Sequence, residues 1–110
     1  MVHSADLVIE ATANITFGLL LNEVCISAKR KLIVVASYRR ASVGRIRVIS
    51  PKETACLVCY LRYSEREDYP LIPPGDEGEF VEGGCGDPTV EASALEIEYV
   101  ANIAARAAQQ

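Results

Sequence analysis

Leu32-Ile33-Val34-Val35-Ala36-Ser37 is a continuous apolar, largely β-branched run with no polar alternation. That is the pattern of a strand buried on both faces, as in a parallel sheet covered by helices. Just upstream, from Phe17, the apolar residues Leu20, Leu21, Val24, Cys25 and Ala28 recur at helical spacing, one stripe on a helix. The stripe ends in Lys29-Arg30-Lys31, a basic triplet suited to the negative end of the helix dipole. Asn14 or Thr16 is the expected N-cap, its side chain accepting a bond from the first free backbone N–H groups. Cys25 lies on the stripe and reads as a small buried hydrophobe. Further back, Asp6-Leu7-Val8-Ile9-Glu10-Ala11 repeats the buried-strand pattern. Strand, helix, strand in this order is a βαβ unit, whose parallel strands need a right-handed crossover.

Downstream of the central run the pattern changes. Val43, Arg45, Arg47 and Ile49 alternate with Gly44, Ile46 and Val48, the period of a strand with one wetter face, and antiparallel pairing is open to it. Arg39 and Arg40 fall just past the carboxyl end of the second strand, where open α/β sheets bind ligands. Either is placed to meet a phosphate; the plainer alternative is a solvated turn. Ser50-Pro51-Lys52-Glu53 ends the strand, with Ser50 as a cap for a helical turn. Residues 64–88 then carry eight acidic residues against one Arg, four prolines and five glycines. With no periodicity this segment reads as a mobile crossing loop inside one domain. Near the end, Ser93 followed by Glu96 is a capping-box pattern, and Ala94, Ile97, Val100, Ala101, Ala104, Ala105 and Ala108 keep one face apolar, predicting a helix over 94–108. Its alanines permit close approach to a neighbour while burying little area.

The 110 residues suit one domain. No apolar run has the length of a membrane span and no secretory leader pattern is visible, which makes the cytoplasm the expected location. A net charge of −4, without a basic stripe, argues against nucleic acid as partner.

Among the four cysteines, Cys56 and Cys59 stand at C-x-x-C spacing. Three readings stay open for them: ligands of a structural metal, a redox dithiol, or ordinary packing. A closed zinc site needs two further ligands, and the other soft candidates, Cys85 and His3, have no paired spacing. Cys85, flanked by Gly83, Gly84 and Gly86, stands in a loop ahead of the last helix, a position for a nucleophile toward an activated acyl group. Its acidic neighbours disfavour the thiolate.

Taken together, Glu10-Ala11-Thr12-Ala13-Asn14 after a buried strand, the strand from Gly44 to Ile49, Cys56-x-x-Cys59 and Cys85-Gly86-Asp87-Pro88-Thr89 before an Ala-rich helix resemble the ThiF/MoeB/HesA family. These are adenylating domains related to ubiquitin-activating enzymes. The likeness covers nearly the whole chain but only the second half of the family's domain, and is closest to its divergent bacterial branch. It implies a partial doubly wound, Rossmann-like ThiF-type α/β fold. It also implies that the full-length protein, with ATP and Mg2+, adenylates the C-terminal glycine of a ubiquitin-like or sulfur-carrier protein, Cys85 then taking the acyl group. Thr12 and Asn14 match the family's Asp-x-Thr-Asp-Asn pattern and, with Arg39, are the implied nucleotide-side residues. Glu10 and Ala13 replace its two acids, and losing the second removes a hard oxygen ligand from the magnesium. Cys56 and Cys59 match half of the family's four-cysteine zinc site. The family's Gly-rich nucleotide loop is absent from the sequence, so the isolated chain is expected to be inactive. An open sheet edge implies a homo-oligomer or a partner. Two further readings are a noncatalytic docking or dimerisation module, and a small zinc-stabilised oligomerisation domain.

Overall fold

A computed structural model of the chain describes residues 1–38, 43–64, 80–82, 88–90 and 92–110. After a short 3-10 turn, Val2–Ser4, the order is β1 (Leu7–Glu10), α1 (Ile15–Ala28), β2 (Lys31–Tyr38), β3 (Val43–Ile49), α2 (Leu57–Ser64), β4 (Phe80–Glu82), β5 (Pro88–Val90) and α3 (Ala94–Ala108). β2 is the middle strand of a three-stranded sheet, parallel to β1 from Leu7↔Lys31 to Glu10↔Val34 and antiparallel to β3 from Leu32↔Ile49 to Tyr38↔Val43. The β1-α1-β2 unit is thus present, and the third strand is antiparallel. Together with helices on both faces this makes a mixed α/β fold.

Alternation along the strands sets the two faces. Val8, Leu32, Val34 and Ile49 turn toward α1 and α2, where Cys25 and Leu57 complete the core cluster. Ile9 and Val35 turn the other way, toward α3. Gly44 of β3 lets α3 approach this second face: a Cβ there would stand 2.8 Å from Val100 Cγ2.

Within α1 the buried line runs through Gly18, Asn22 and Cys25. Of the expected stripe, Cys25 lies on this line and Leu21 packs against the core, whereas Phe17 and Leu20 are 44% and 56% exposed. A Cβ on Gly18 would lie 3.5 Å from both Glu10 Oε2 and Leu57 Cδ2, ordinary van der Waals contact, so this line of the helix packs directly on β1 and α2. Asn22 Oδ1 then accepts the backbone N–H of Leu57 at 2.9 Å, holding the start of α2 and satisfying two buried polar groups at once.

Asn14 caps α1 through Oδ1, which accepts Phe17 N–H at 3.0 Å. At the other end Lys29 takes the left-handed conformation, φ 54°, where glycine is usual. Its N–H reaches the Ile26 carbonyl at 3.2 Å and Arg30 N–H reaches the Cys25 carbonyl at 2.8 Å, closing the helix before β2. α3 carries the complete capping box between Ser93 and Glu96. Residues 50–54, where a helical turn is expected, hold a single turn. In it Glu53 and Thr54 N–H both reach the Ser50 carbonyl, with Lys52 at φ 74°, and α2 begins only after Cys56. The expected mobile loop over 64–88 lies mainly outside the described residues. Its described part includes an antiparallel two-stranded ribbon, β4 with β5, paired Phe80↔Val90, Val81↔Thr89 and Glu82↔Pro88, which the lack of periodicity had concealed.

Candidate functional site

At the carboxyl ends of β1 and β2 the chain leaves a cavity of about 370 Å³ under α3. The strand side supplies Ile9, Val35 and Ser37; the helix side supplies Ile97, Val100 and Ala104. Small side chains make the space: Ala11 and Ala13 lie on one side, and Ala101 and Ala105 on the other. The same helix face that reads as apolar in the sequence therefore lines a hollow instead of filling it. Ala13 is held at φ 57°, a conformation unfavourable for a residue with a Cβ, and it sits where the resemblance would place an acidic group.

Thr12 and Asn14 flank that position and turn to local tasks. Thr12 N–H and Oγ1–H both donate to Glu10 Oε1, at 2.7 and 2.5 Å. Thr12 Oγ1 accepts Asn14 N–H at 3.2 Å. The turn from β1 into α1 is thus built around the carboxylate of Glu10, a buried acid whose Oε1 is engaged by the turn it anchors. The polar rim beside the cavity is this Glu10-Thr12-Asn14 chain of bonds. Among the described residues the buried polar side chains are Glu10 and Asn22, and each carries a weak sequence signal: a polar residue directly following an apolar run.

The second candidate lies on the opposite face of the sheet. Cys56 precedes α2 and its carbonyl accepts Tyr60 N–H at 3.1 Å, the N-cap position. Cys59 follows in the first helical turn, and the two Sγ atoms are 3.6 Å apart, the Cys56 thiol donating to Cys59. The backbone N–H of Cys59 is the chief influence holding the Cys56 thiol below its ordinary range; desolvation opposes it, and the Cys59 side chain adds to the lowering. Cys25, fully enclosed on the inner face of α1, is pushed up by burial. One turn further, Arg47 of β3 stacks over the Tyr60 ring at 5.7 Å.

Two thiolates on a tetrahedral zinc, with Zn–S of about 2.3 Å, stand roughly 3.8 Å apart, so the pair fits one edge of such a site. Among the described residues no third His, Cys, Asp or Glu joins them. The described residues thus supply two thiols at this spacing. Cys85 and Arg39 lie outside the described residues. The fold thus separates the sequence candidates: Thr12 and Asn14 stand by the cavity, while Cys56 and Cys59 stand across the sheet from it. No helix among the described residues is long and apolar enough to cross a membrane.

Comparison with known proteins finds no matching family model, no matching curated protein and no matching solved structure.

Proposed function

We propose that the chain is the carboxy-terminal part of a ThiF-like adenylation domain, contributing one wall of a nucleotide cleft that activates the C-terminal glycine of a ubiquitin-like or sulfur-carrier protein. The observation carrying this reading is the parallel β1-α1-β2 unit with a cavity at its carboxyl end, the place where open α/β sheets bind ligands. Glu10, Thr12 and Asn14 brace the rim of that cavity. Arg39 is assigned to the phosphates and Cys85 to acyl capture. In the proposed complex ATP and Mg2+ supply the activated phosphoryl chemistry, while this chain's residues bind and orient. The outer edge of β1 has no partner strand among the described residues. A second copy or an active subunit is assigned to that edge, in the cytoplasm.

Calorimetric titration with ATP and Mg2+ tests the reading, on the 110-residue chain and on that chain extended by any residues encoded before Met1. Binding by the extended protein, with none by the 110 residues, is the expected result. Failure of both ends the enzyme reading.

A second reading, a noncatalytic docking module, is favoured by the alanine-lined cavity itself. With Ala13 where the resemblance places an acid, the described residues lining the cavity include no carboxylate for a magnesium ion. On this reading the extended protein binds a ubiquitin-like partner with equal affinity whether or not ATP is present.

A further inference from the structure

The Cys56 and Cys59 thiols form a pair of nucleophiles that the proposed nucleotide chemistry leaves unused, and three observations bear on what they do. Their Sγ atoms stand 3.6 Å apart, so reaching a disulfide bond of about 2.05 Å takes a shift of roughly 1.5 Å, within the range of side-chain rotation. The backbone between them is already fixed. Leu57 is 1% exposed in the core and its N–H is held by Asn22 Oδ1 at 2.9 Å. Both sulfurs are also open to a reagent, Cys59 exposed and Cys56 half-exposed. A pair held close on a fixed backbone has a high effective concentration, which favours ring closure over two separate reactions. With two of the four ligands a structural zinc requires, the described residues complete a dithiol and not a metal site.

We propose that Cys56 and Cys59 are a redox-active dithiol that closes reversibly to an intrachain disulfide by exchange with small-molecule disulfides. One Sγ attacks a sulfur of the disulfide R–S–S–R, breaking that bond, releasing one thiol R–SH and leaving a mixed disulfide on the protein. The second Sγ attacks the protein sulfur of this intermediate, forming the Cys56–Cys59 bond and releasing the second R–SH. Two electrons pass from the dithiol to the reagent, and the two thiol protons leave with the two released thiols. The reverse sequence with excess R–SH restores the dithiol. This inference is independent of the nucleotide reading, because its test contains no nucleotide.

The test incubates the full chain with glutathione buffers of increasing oxidised fraction, followed by acid quenching, alkylation of remaining thiols and peptide mapping. The expected result is a peptide spanning Cys56 and Cys59 that has lost two hydrogens, carries no glutathione and returns to the dithiol on reduction. Cys56→Ser and Cys59→Ser are each expected to carry a glutathione on the remaining cysteine. The wild-type arm decides even if a variant fails to fold. Free thiols persisting at both positions in oxidised glutathione overturn the proposal, as does a stable mixed disulfide in the wild-type chain. A requirement for chelator before any oxidation identifies the sulfurs as metal ligands and also overturns it.

Discussion

The two faces of the sheet are built differently. Under α1 and α2, Leu32, Ile49, Leu57 and Cys25 are each no more than 1% exposed, and large side chains interlock around a glycine and an asparagine. Under α3, Gly44 and a row of alanines bring the helix near, yet the helix covers β2 and β3 and leaves Ile9 of β1 49% exposed beside the cavity. The difference teaches that small residues set how closely two elements approach, while only large ones decide whether the space between them is filled. One face holds the fold, and the other keeps room.

Substitutions on the two faces break this comparison if it is wrong. The largest effect is expected from Leu57→Ala, which empties the filled face and removes about 3 kcal/mol of stability, read by denaturant unfolding. A loss no greater than that of Val100→Ala, expected at about 1.5 kcal/mol from its missing methyl groups, would mean that the faces are equivalent. Gly44→Ala comes next. The stiff, β-branched Val100 stands in the way of the new methyl, so a cost of about 2 kcal/mol is expected, with much of it recovered in the double variant Gly44→Ala, Val100→Ala. No recovery would show that the strand, not the helix contact, carries the strain.

Asn22→Ala sharpens the account of the filled face at smaller cost. It orphans the buried N–H of Leu57, and about 1 to 2 kcal/mol is expected to go. Hydrogen exchange at Leu57 should rise more than exchange in β2, and an unchanged Leu57 amide would remove the tie from the argument. The smallest effects concern acid–base behaviour. In the folded chain Cys56 is lowered, so its thiolate adds stability fully present above the ordinary thiol range and lost as pH falls through the folded value. Cys25 is raised by burial, so its neutral thiol adds stability present below the unfolded value and lost as pH climbs through the folded one. Alkylation at rising pH should therefore label Cys56 first and Cys25 only as the chain opens; labelling in the reverse order would refute both assignments.

Much of this architecture is legible in the residues because local signals agree. Val43–Ile49 alternates cleanly, and Ala94–Ala108 begins at a capping box and keeps one apolar stripe, so both elements follow from the sequence. The α1 stripe holds at Leu21 and Cys25 but misleads at Phe17 and Leu20, because apolar periodicity records which residues are oily, not which are close. Gly18 carries no hydrophobic signal and Asn22 carries the opposite one, yet both lie on the buried line. The helix end at Lys29-Arg30-Lys31 is legible from its charge, but nothing in a lysine announces the left-handed backbone at Lys29. For the site, Thr12 and Asn14 stand out as polar punctuation, and C-x-x-C is visible as spacing. The cavity is not visible. Alanine at 11, 13, 101 and 105 reads as helix former or filler, and only tertiary placement makes it a wall.

The middle strand has one more consequence, in the order of events as the chain folds. β2 pairs with β3 starting at Tyr38↔Val43, five positions apart, but meets β1 at Leu7↔Lys31, 24 positions apart. Closing the longer loop costs about 1.4 kcal/mol more in chain entropy before any contact repays it. The hairpin should therefore lead and β1 should dock late, so core substitutions in β2 and β3 are expected to slow folding while those in β1 chiefly speed unfolding. If the order of folding is mirrored in the native state, hydrogen exchange is expected to be faster in Leu7–Glu10, with the turn built on Glu10 and one side of the cavity, than in β2 and β3.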